Sequence, residues 1–240
     1  MQWIHSSKTH IGLVRKANQD DLGTLAEQGI FIVADGMGGH AGGGIASQTA
    51  ISSLLEYYKQ AGNNSYSTAS MAQAIHHAHQ SVLTKSFQDP ELYEMGTTLL
   101  VMHLQGQTAL LGHVGDSRIY LYRNQKLVQL TRDHSLRQEQ LDAKIITEEQ
   151  AKNFPYKNII TRTIGISPTT RPDIQEIVLA KNDIFLLCTD GLHGELSDSK
   201  ISSIMAQHPN DMNKLTNVLV ESALESGGKD NVTVLCLLIS

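Results

Sequence analysis

An α+β fold, with antiparallel strands at its centre and helices grouped outside them, is what this sequence predicts. Three observations predict it. Short apolar runs recur at residues 30–34, 98–104, 108–114, 118–122, 183–188 and 232–239. The central runs are joined by brief polar turns, Gln105-Gly106-Gln107 and Arg123-Asn124-Gln125-Lys126. Connections that short suit hairpins and cannot hold a parallel crossover. The long helical patterns stand together between the first strands and the central ones, so helices and strands are segregated rather than alternating.

Each element follows from its own pattern. The run at 30–34 reads as a strand ending in Asp35-Gly36. In 44–60, Ile45, Ile51, Leu54, Leu55 and Tyr58 repeat at helical spacing. In 69–87, Met71, Ile75, Ala78, Val82 and Leu83 do the same, and Asp89-Pro90 ends the run. The strands of the centre come next. Segment 133–173 then breaks the pattern: it is polar, holds Pro155, Pro168 and Pro172, and contains a capping-box sequence at Thr147 to Gln150. It reads as an insertion beside the site. After the strand at 183–188, a helix is predicted over 211–226. Asp211 is its N-cap, Leu215, Val218 and Leu219 its apolar stripe, and Gly227-Gly228 its stop. The run at 232–239 forms the last strand.

The 240 residues fit one large domain or two small ones. At 40% hydrophobic and 18% charged, the chain can bury a sizeable core. A net charge of -5 without a basic stripe argues against a nucleic-acid footprint. No run approaches 18 apolar residues, and MQWIHSSKTH lacks the apolar stretch of a signal peptide, so a cytoplasmic chain without a membrane span is expected. Cys188 and Cys236 sit inside apolar runs and read as buried reduced thiols. His76 and His79 share a helix face at i, i+3; with His77 they read as a solvated, histidine-rich face. The Arg132-Asp133-His134 run reads as structural.

The chemistry lies in the aspartates. Asp35, Asp116, Asp190 and Asp230 each sit in a turn beside an apolar run, and Asp20 is a fifth, less cleanly framed. Strands that deliver several carboxylates to one rim build a site for hard divalent cations such as magnesium or manganese. Two such ions can activate a water and neutralise a phosphoryl group, which points to a metal-dependent phosphohydrolase. The glycine-rich turn after Asp35 lets a metal or phosphate approach the main chain. Gly36 to Ala41 also satisfies the dinucleotide pattern G-x-G-x-x-A. That pattern requires an acid about 20 residues on, at the end of the next strand. Here that stretch, Glu56 to Gln60, falls inside a predicted helix, so the dinucleotide reading is set aside. Neither cysteine is followed by arginine six positions on, and D-x-D and HExxH are absent, so other phosphatase chemistries find no support.

Six segments occur in a telling order: Gly12 to Asp20 (GLVRKANQD), Ala34 to Gly42 (ADGMGGHAG), Gly96 to Thr98, Val114 to Arg118 (VGDSR), Thr189 to Leu192 (TDGL) and Gly228 to Val232 (GKDNV). The set resembles the bacterial branch of the type 2C, metal-dependent Ser/Thr protein phosphatases, over nearly the whole chain. The resemblance implies one catalytic domain over 1–240 with a variable flap at about 133–173. Its fold would be two antiparallel sheets packed face to face, flanked by helix pairs in four layers. Asp35, Asp190 and Asp230, with the Gly36 carbonyl, would bind two Mn²⁺ or Mg²⁺ ions. Asp20 would hold metal-bound water, and Asp116 would join Asp190 at a third, weaker ion. Asn231 would support the ligands from behind. Arg15 would grip the substrate phosphate, and His40 falls where the family places a candidate general acid. Gln19 stands where many members carry glutamate. Asp21 beside Asp20 leaves the register open, and the spacing from Arg15 favours Asp20. The implied reaction is attack on phosphoserine or phosphothreonine by water bridging two ions, without a phosphoenzyme. Implied partners are phosphorylated protein substrates of a Ser/Thr kinase; a monomer is expected, with no nucleic acid and no membrane.

Overall fold

Alternate residues of the apolar strands face two different cores, and that alternation builds the molecule. The computed structural model describes the chain except residues 39–41 and 157–158 and the side chains of residues 63 and 64. In chain order the strands are β1 (Trp3–His10), β2 (Asp20–Leu25), β3 (Ile30–Met37), β4 (Gly96–Thr97), β5 (Leu99–Gln105), β6 (Thr108–Val114), β7 (Arg118–Arg123), β8 (Lys126–Gln129), β9 (Asp173–Val178), β10 (Ile184–Cys188) and β11 (Val232–Ile239). The helices are α1 (Gly42–Ala61), α2 (Thr68–Gln88), α3 (Leu136–Asp142), α4 (Glu148–Lys152), α5 (Asp190–His193), α6 (Asp198–Gln207) and α7 (Met212–Glu225). Short 3₁₀ turns connect some of them.

All strand pairing is antiparallel. One sheet runs β1-β11-β10-β7-β8; the other runs β2-β3-β5-β6-β9, with β4 paired to β3. Phe31, Val33, Leu100 and Met102 meet Ile119, Phe185, Leu187, Leu235 and Leu237 in a core between the sheets. Ile30, Ile32, Leu99 and Val101 point the other way, against α1 and α2 through Leu54, Met71 and Ile75. On the opposite side, Tyr120, Leu186, Val234 and Cys236 pack against Ile201, Leu215 and Leu219 of α6 and α7. The result is the four-layer α+β sandwich expected. Central strands buried on both faces need apolar residues at every position, which is why they read as continuous runs.

Local signals hold where the sequence placed them. Asp211 caps α7 by accepting from the Lys214 N–H at 2.9 Å. Thr147 and Gln150 close the capping box of α4. The β7–β8 hairpin turns on Asn124 and Gln125, both with positive φ, +52° and +60°, as a tight right-twisted hairpin requires. Cys188 and Cys236 are free and buried. One expectation is corrected: His76 and His77 are exposed, but His79 is fully buried, its Nδ1 accepting from the Gly165 N–H at 3.1 Å. The face is therefore split by a helix–flap contact, not solvated along its length. The antiparallel neighbours of β3 also remove the parallel unit that dinucleotide binding needs.

Candidate metal centre

The carboxylates converge at one end of the sandwich, where both sheets contribute. Asp20 and Asp35 are direct cross-strand partners in β2 and β3. Such partners share a face of the sheet, and like charges there repel. Asp190 opens α5 immediately after β10, Asp230 precedes β11, and Asp116 lies in the turn from β6 to β7 as the chain passes between sheets. A cleft of about 440 Å³ is lined by Arg15, Asp35, the 36–38 turn, Asp190 and Asp230. Asp116 and Asp190 line an adjoining cleft of about 290 Å³. Asp20 lies below, 8% exposed, while Asp21 points the other way, as strand alternation demands.

The charges are unbalanced. Burial raises the Asp20 carboxyl to about 7, and Asp190 and Asp230 add to the shift, while hydrogen bonds from Thr233 and Thr189 oppose it. Asp35 is pushed well above the usual carboxylate range by burial first, then by Asp20, Asp190, Asp116 and Asp230. Asp116 rises to about 7 by burial and by the proximity of Asp190 and Asp133. Asp20 Oδ1 and Asp116 Oδ1 are buried without a hydrogen-bond partner among the described residues. Arg15 approaches from the rim, its Nη2 2.5 Å from Asp230 Oδ2, with its side chain 54% exposed. Buried acceptor oxygens and mutually repelling carboxylates form an all-oxygen donor set, the chemistry that hard divalent cations take. The residues present therefore fit such ions.

Neutral groups hold the acids in place. Thr189 Oγ1 donates to Asp20 Oδ2 at 2.9 Å, a bond from one sheet to the other. Thr98 Oγ1 accepts from the Asp35 N–H at 3.0 Å and pairs with Ser117 Oγ at 2.7 Å. Asn231 Nδ2 donates to the carbonyls of Ile11 and Ala17, both at 2.9 Å, and its Oδ1 accepts from the Gln19 N–H at 2.8 Å. Asn231 thus fixes the loop that carries Arg15. Gly36 has no alternative: a Cβ there would strike the carbonyl oxygens of Gly43 and Gln19, because strand and helix backbones cross at this point.

Of the residues expected at the site, the geometry brings together Asp20, Asp35, Gly36, Asp116, Asp190, Asp230, Arg15 and Asn231. His40 lies outside the described residues. Sequence reasoning missed the positioning hydroxyls of Thr98, Ser117 and Thr189, and the flap residues Ile160, Thr161, Thr163, Ile166 and Ser167 that wall the cleft. Thr189 beside Asp190 was the one available signal. Asp133 is structural as read: it takes a bidentate pair from Arg118 at 2.9 and 2.7 Å.

His113, His134 and Asp173 also place ligand atoms within 4.8 Å of one another. There the hydrogen bonds argue against a metal. His134 Nδ1 accepts from the Gly115 N–H at 3.1 Å, so the ring proton sits on Nε2 and is donated to Asp173 Oδ2 at 3.1 Å. Arg162 donates to Asp173 Oδ1 at 2.9 Å. This cluster fastens the flap's end to β9.

The chain as a whole has counterparts among known proteins. A profile of the Protein phosphatase 2C family matches residues 11–226. The chain is 34% identical over 236 residues to Serine/threonine phosphatase stp of Listeria monocytogenes, covering 95% of this chain and 92% of that protein. It is 37% identical over 231 residues to Protein phosphatase PhpP of Streptococcus pneumoniae, covering 94% and 93%. The solved serine/threonine phosphatase PstP/Ppp of Mycobacterium tuberculosis superposes with a TM-score of 0.92 at 32% identity, over 100% of both chains. The PstP catalytic domain in complex with two manganese ions superposes at 0.89 and 31%, over 99% of both. With the family's profile spanning most of its length and an αββα sandwich carrying the acids, this chain belongs to the bacterial branch of the protein phosphatase 2C family.

Proposed function

We propose that the chain removes phosphate from phosphoserine and phosphothreonine in proteins, and so reverses Ser/Thr kinase signalling. The observation that carries this is the like-charge cross-strand pair Asp20–Asp35 close to Asp190, with buried oxygens of Asp20 and Asp116 unpartnered among the described residues. Such a constellation is stabilised by cations. Asp35, Asp190, Asp230 and the Gly36 carbonyl would hold two Mn²⁺ or Mg²⁺ ions, Asp20 would orient their water, and Asp116 with Asp190 would hold a weaker third. When bound, the ions supply a water acidified toward neutrality for in-line attack on phosphorus and neutralise charge on the phosphoryl oxygens.

The protein's own residues do the rest. Arg15 offers a planar, permanently charged fork to the phosphate oxygens. It sits against Asp230 Oδ2, a carboxylate assigned to the metal centre, and its half-exposed fork lies at the rim of the cleft where substrate phosphate would arrive. His40 is assigned the proton for the leaving alkoxide, since a histidine titrates in the right range. Asn231 and Thr189 keep the Arg15 loop and Asp20 in register. No helix among the described residues is long and apolar enough to cross a membrane. The reading takes the chain to act as a cytoplasmic monomer on protein substrates.

Arg15→Ala tests the clamp. We expect KM for a phosphothreonine peptide to rise about tenfold, the worth of charge-assisted hydrogen bonds at a half-exposed site, with a smaller change in kcat. Unchanged kinetic constants would remove Arg15 from the substrate.

A further inference from the structure

A second polar cavity, of about 300 Å³, opens beside the catalytic cleft and shares Thr161, Thr163 and Ser167 with it. Its remaining wall is Arg162, Thr169, Thr170 and Arg171; it carries two guanidiniums and no carboxylate. Arg171 is exposed and makes no hydrogen bond or ion pair among the described residues. Arg162 spends only Nη1, on Asp173, and its side chain is 43% exposed. Thr170 Oγ1 is buried without a hydrogen-bond partner among the described residues. Elsewhere on the chain, Arg15, Arg118, Arg123, Arg132 and Arg137 all hold carboxylates. An arginine left unpaired in a hydroxyl-lined hollow, one wall away from the reacting phosphate, is arranged to take an anion.

We propose that this hollow is a substrate subsite that binds a second anionic side chain, phosphate or carboxylate, within a few residues of the phosphoserine or phosphothreonine being hydrolysed. The inference rests on the phosphatase reading of the main cleft. Guanidinium and hydroxyl donors together suit the several acceptor oxygens of such a group. The shared wall fixes the spacing: an extended peptide advances about 3.3 Å per residue, so a neighbouring side chain reaches the second cavity while the first holds the scissile phosphate. Net acidity of the chain as a whole makes such a local basic hollow selective rather than generally attractive.

Three phosphothreonine peptides test it. They are identical except for one neighbouring position, which holds alanine, glutamate or a non-hydrolysable phosphonate. In the native chain, kcat/KM for the phosphonate peptide should exceed that for the alanine peptide by about five- to tenfold, the range of partly exposed charge-assisted contacts, mainly through KM. Arg171→Ala should bring that ratio close to one, and Arg171→Lys should restore part of it. A glutamate peptide matching the phosphonate would assign the subsite to carboxylates as well; one matching alanine would assign it to phosphate. A ratio near one in the native chain, or a preference that survives Arg171→Ala, overturns the proposal. Hydrolysis of p-nitrophenyl phosphate, run alongside, separates the two readings: its absence from the native chain sinks the phosphatase assignment, whereas its presence with a flat peptide series sinks the subsite alone.

Discussion

Asp190→Ala will abolish metal-dependent phosphate release while the fold survives. Asp190 borders both clefts, the one acid among the described residues to do so, which suits it to both the core ions and the weaker third ion proposed above. Its loss should lower kcat/KM by about 10³-fold or more, since a displaced ion forfeits several kcal/mol of transition-state stabilisation. The fold should persist for a separate reason. Asp190 begins the four-residue α5, which Leu192 anchors in the core and Gly191 seats closely against the Asn231 carbonyl. Removing one member of a repelling cluster relieves strain in the metal-free protein. Circular dichroism and thermal melting with chelator check the fold, and steady-state hydrolysis with manganese checks the activity. Turnover retained in a folded Asp190→Ala variant would take Asp190 out of the centre.

In metal-free protein the raised carboxyls of Asp20 and Asp116 should contribute stability as pH falls from 8 to 6.5, and manganese should stabilise more at pH 8 than at 6.5. The sign follows from the raised carboxyls. Asp20 and Asp116 are held up to about 7, against 3.8 in a free chain, so the folded state takes up protons across this interval before the unfolded state does. The gain is about 1–2 kcal/mol for the pair. Over the same interval the unfolded chain also protonates histidines that burial holds down in the fold, His103 and His113 to about 4 and His193 to about 3, with His79 and His134 lowered as well, so the carboxyl contribution is read by difference from a variant that keeps every histidine. Manganese requires the deprotonated acids, so its stabilisation should be larger at pH 8, reaching about 2.7 kcal/mol at a hundredfold excess over Kd. Chelator-treated melting curves at pH 8 and 6.5 measure the first effect. The stability change on going from pH 8 to 6.5 should be less favourable in Asp116→Asn than in the native chain, since the histidines are common to both; an identical pH dependence in the two would remove Asp116 from the effect.

Much of this architecture is legible in the residues, and the exceptions have physical causes. β3, β5, β6, β10 and β11 announce themselves because both faces are buried. β1, β2 and β9 do not, because WIHSSKTH, DDLGTL and DIQEIV lie at sheet edges and half their side chains meet water. The strand state of β1 and β9 comes from pairing with partners far along the chain, as in the Trp3–Ile239 register, and that of β2 from its hairpin with β3. α6 is hidden for a similar reason, with Ile201, Ile204 and Met205 its only buried residues. His79 was misread because its partner, Gly165, stands 86 positions away.

The site divides along the same line. Its aspartates are legible because a turn beside an apolar strand is a local signature, and their order carries the family likeness. The bond from Thr189 to Asp20, the Thr98–Ser117 pair and the Arg15–Asp230 contact join distant segments and leave no local trace. The flap residues that wall the cleft are equally silent, since their role depends on where the framework holds them. That framework contact, Asp173 with His134 and Arg162, is visible only in three dimensions.

The most direct test of the central claim is phosphate release from a phosphothreonine peptide with manganese, with magnesium and with chelator. Release that requires a divalent ion and stops in chelator is the result this account predicts. Release undiminished in chelator would contradict it, because the five converging aspartates would then be doing something other than holding the ions of a phosphatase.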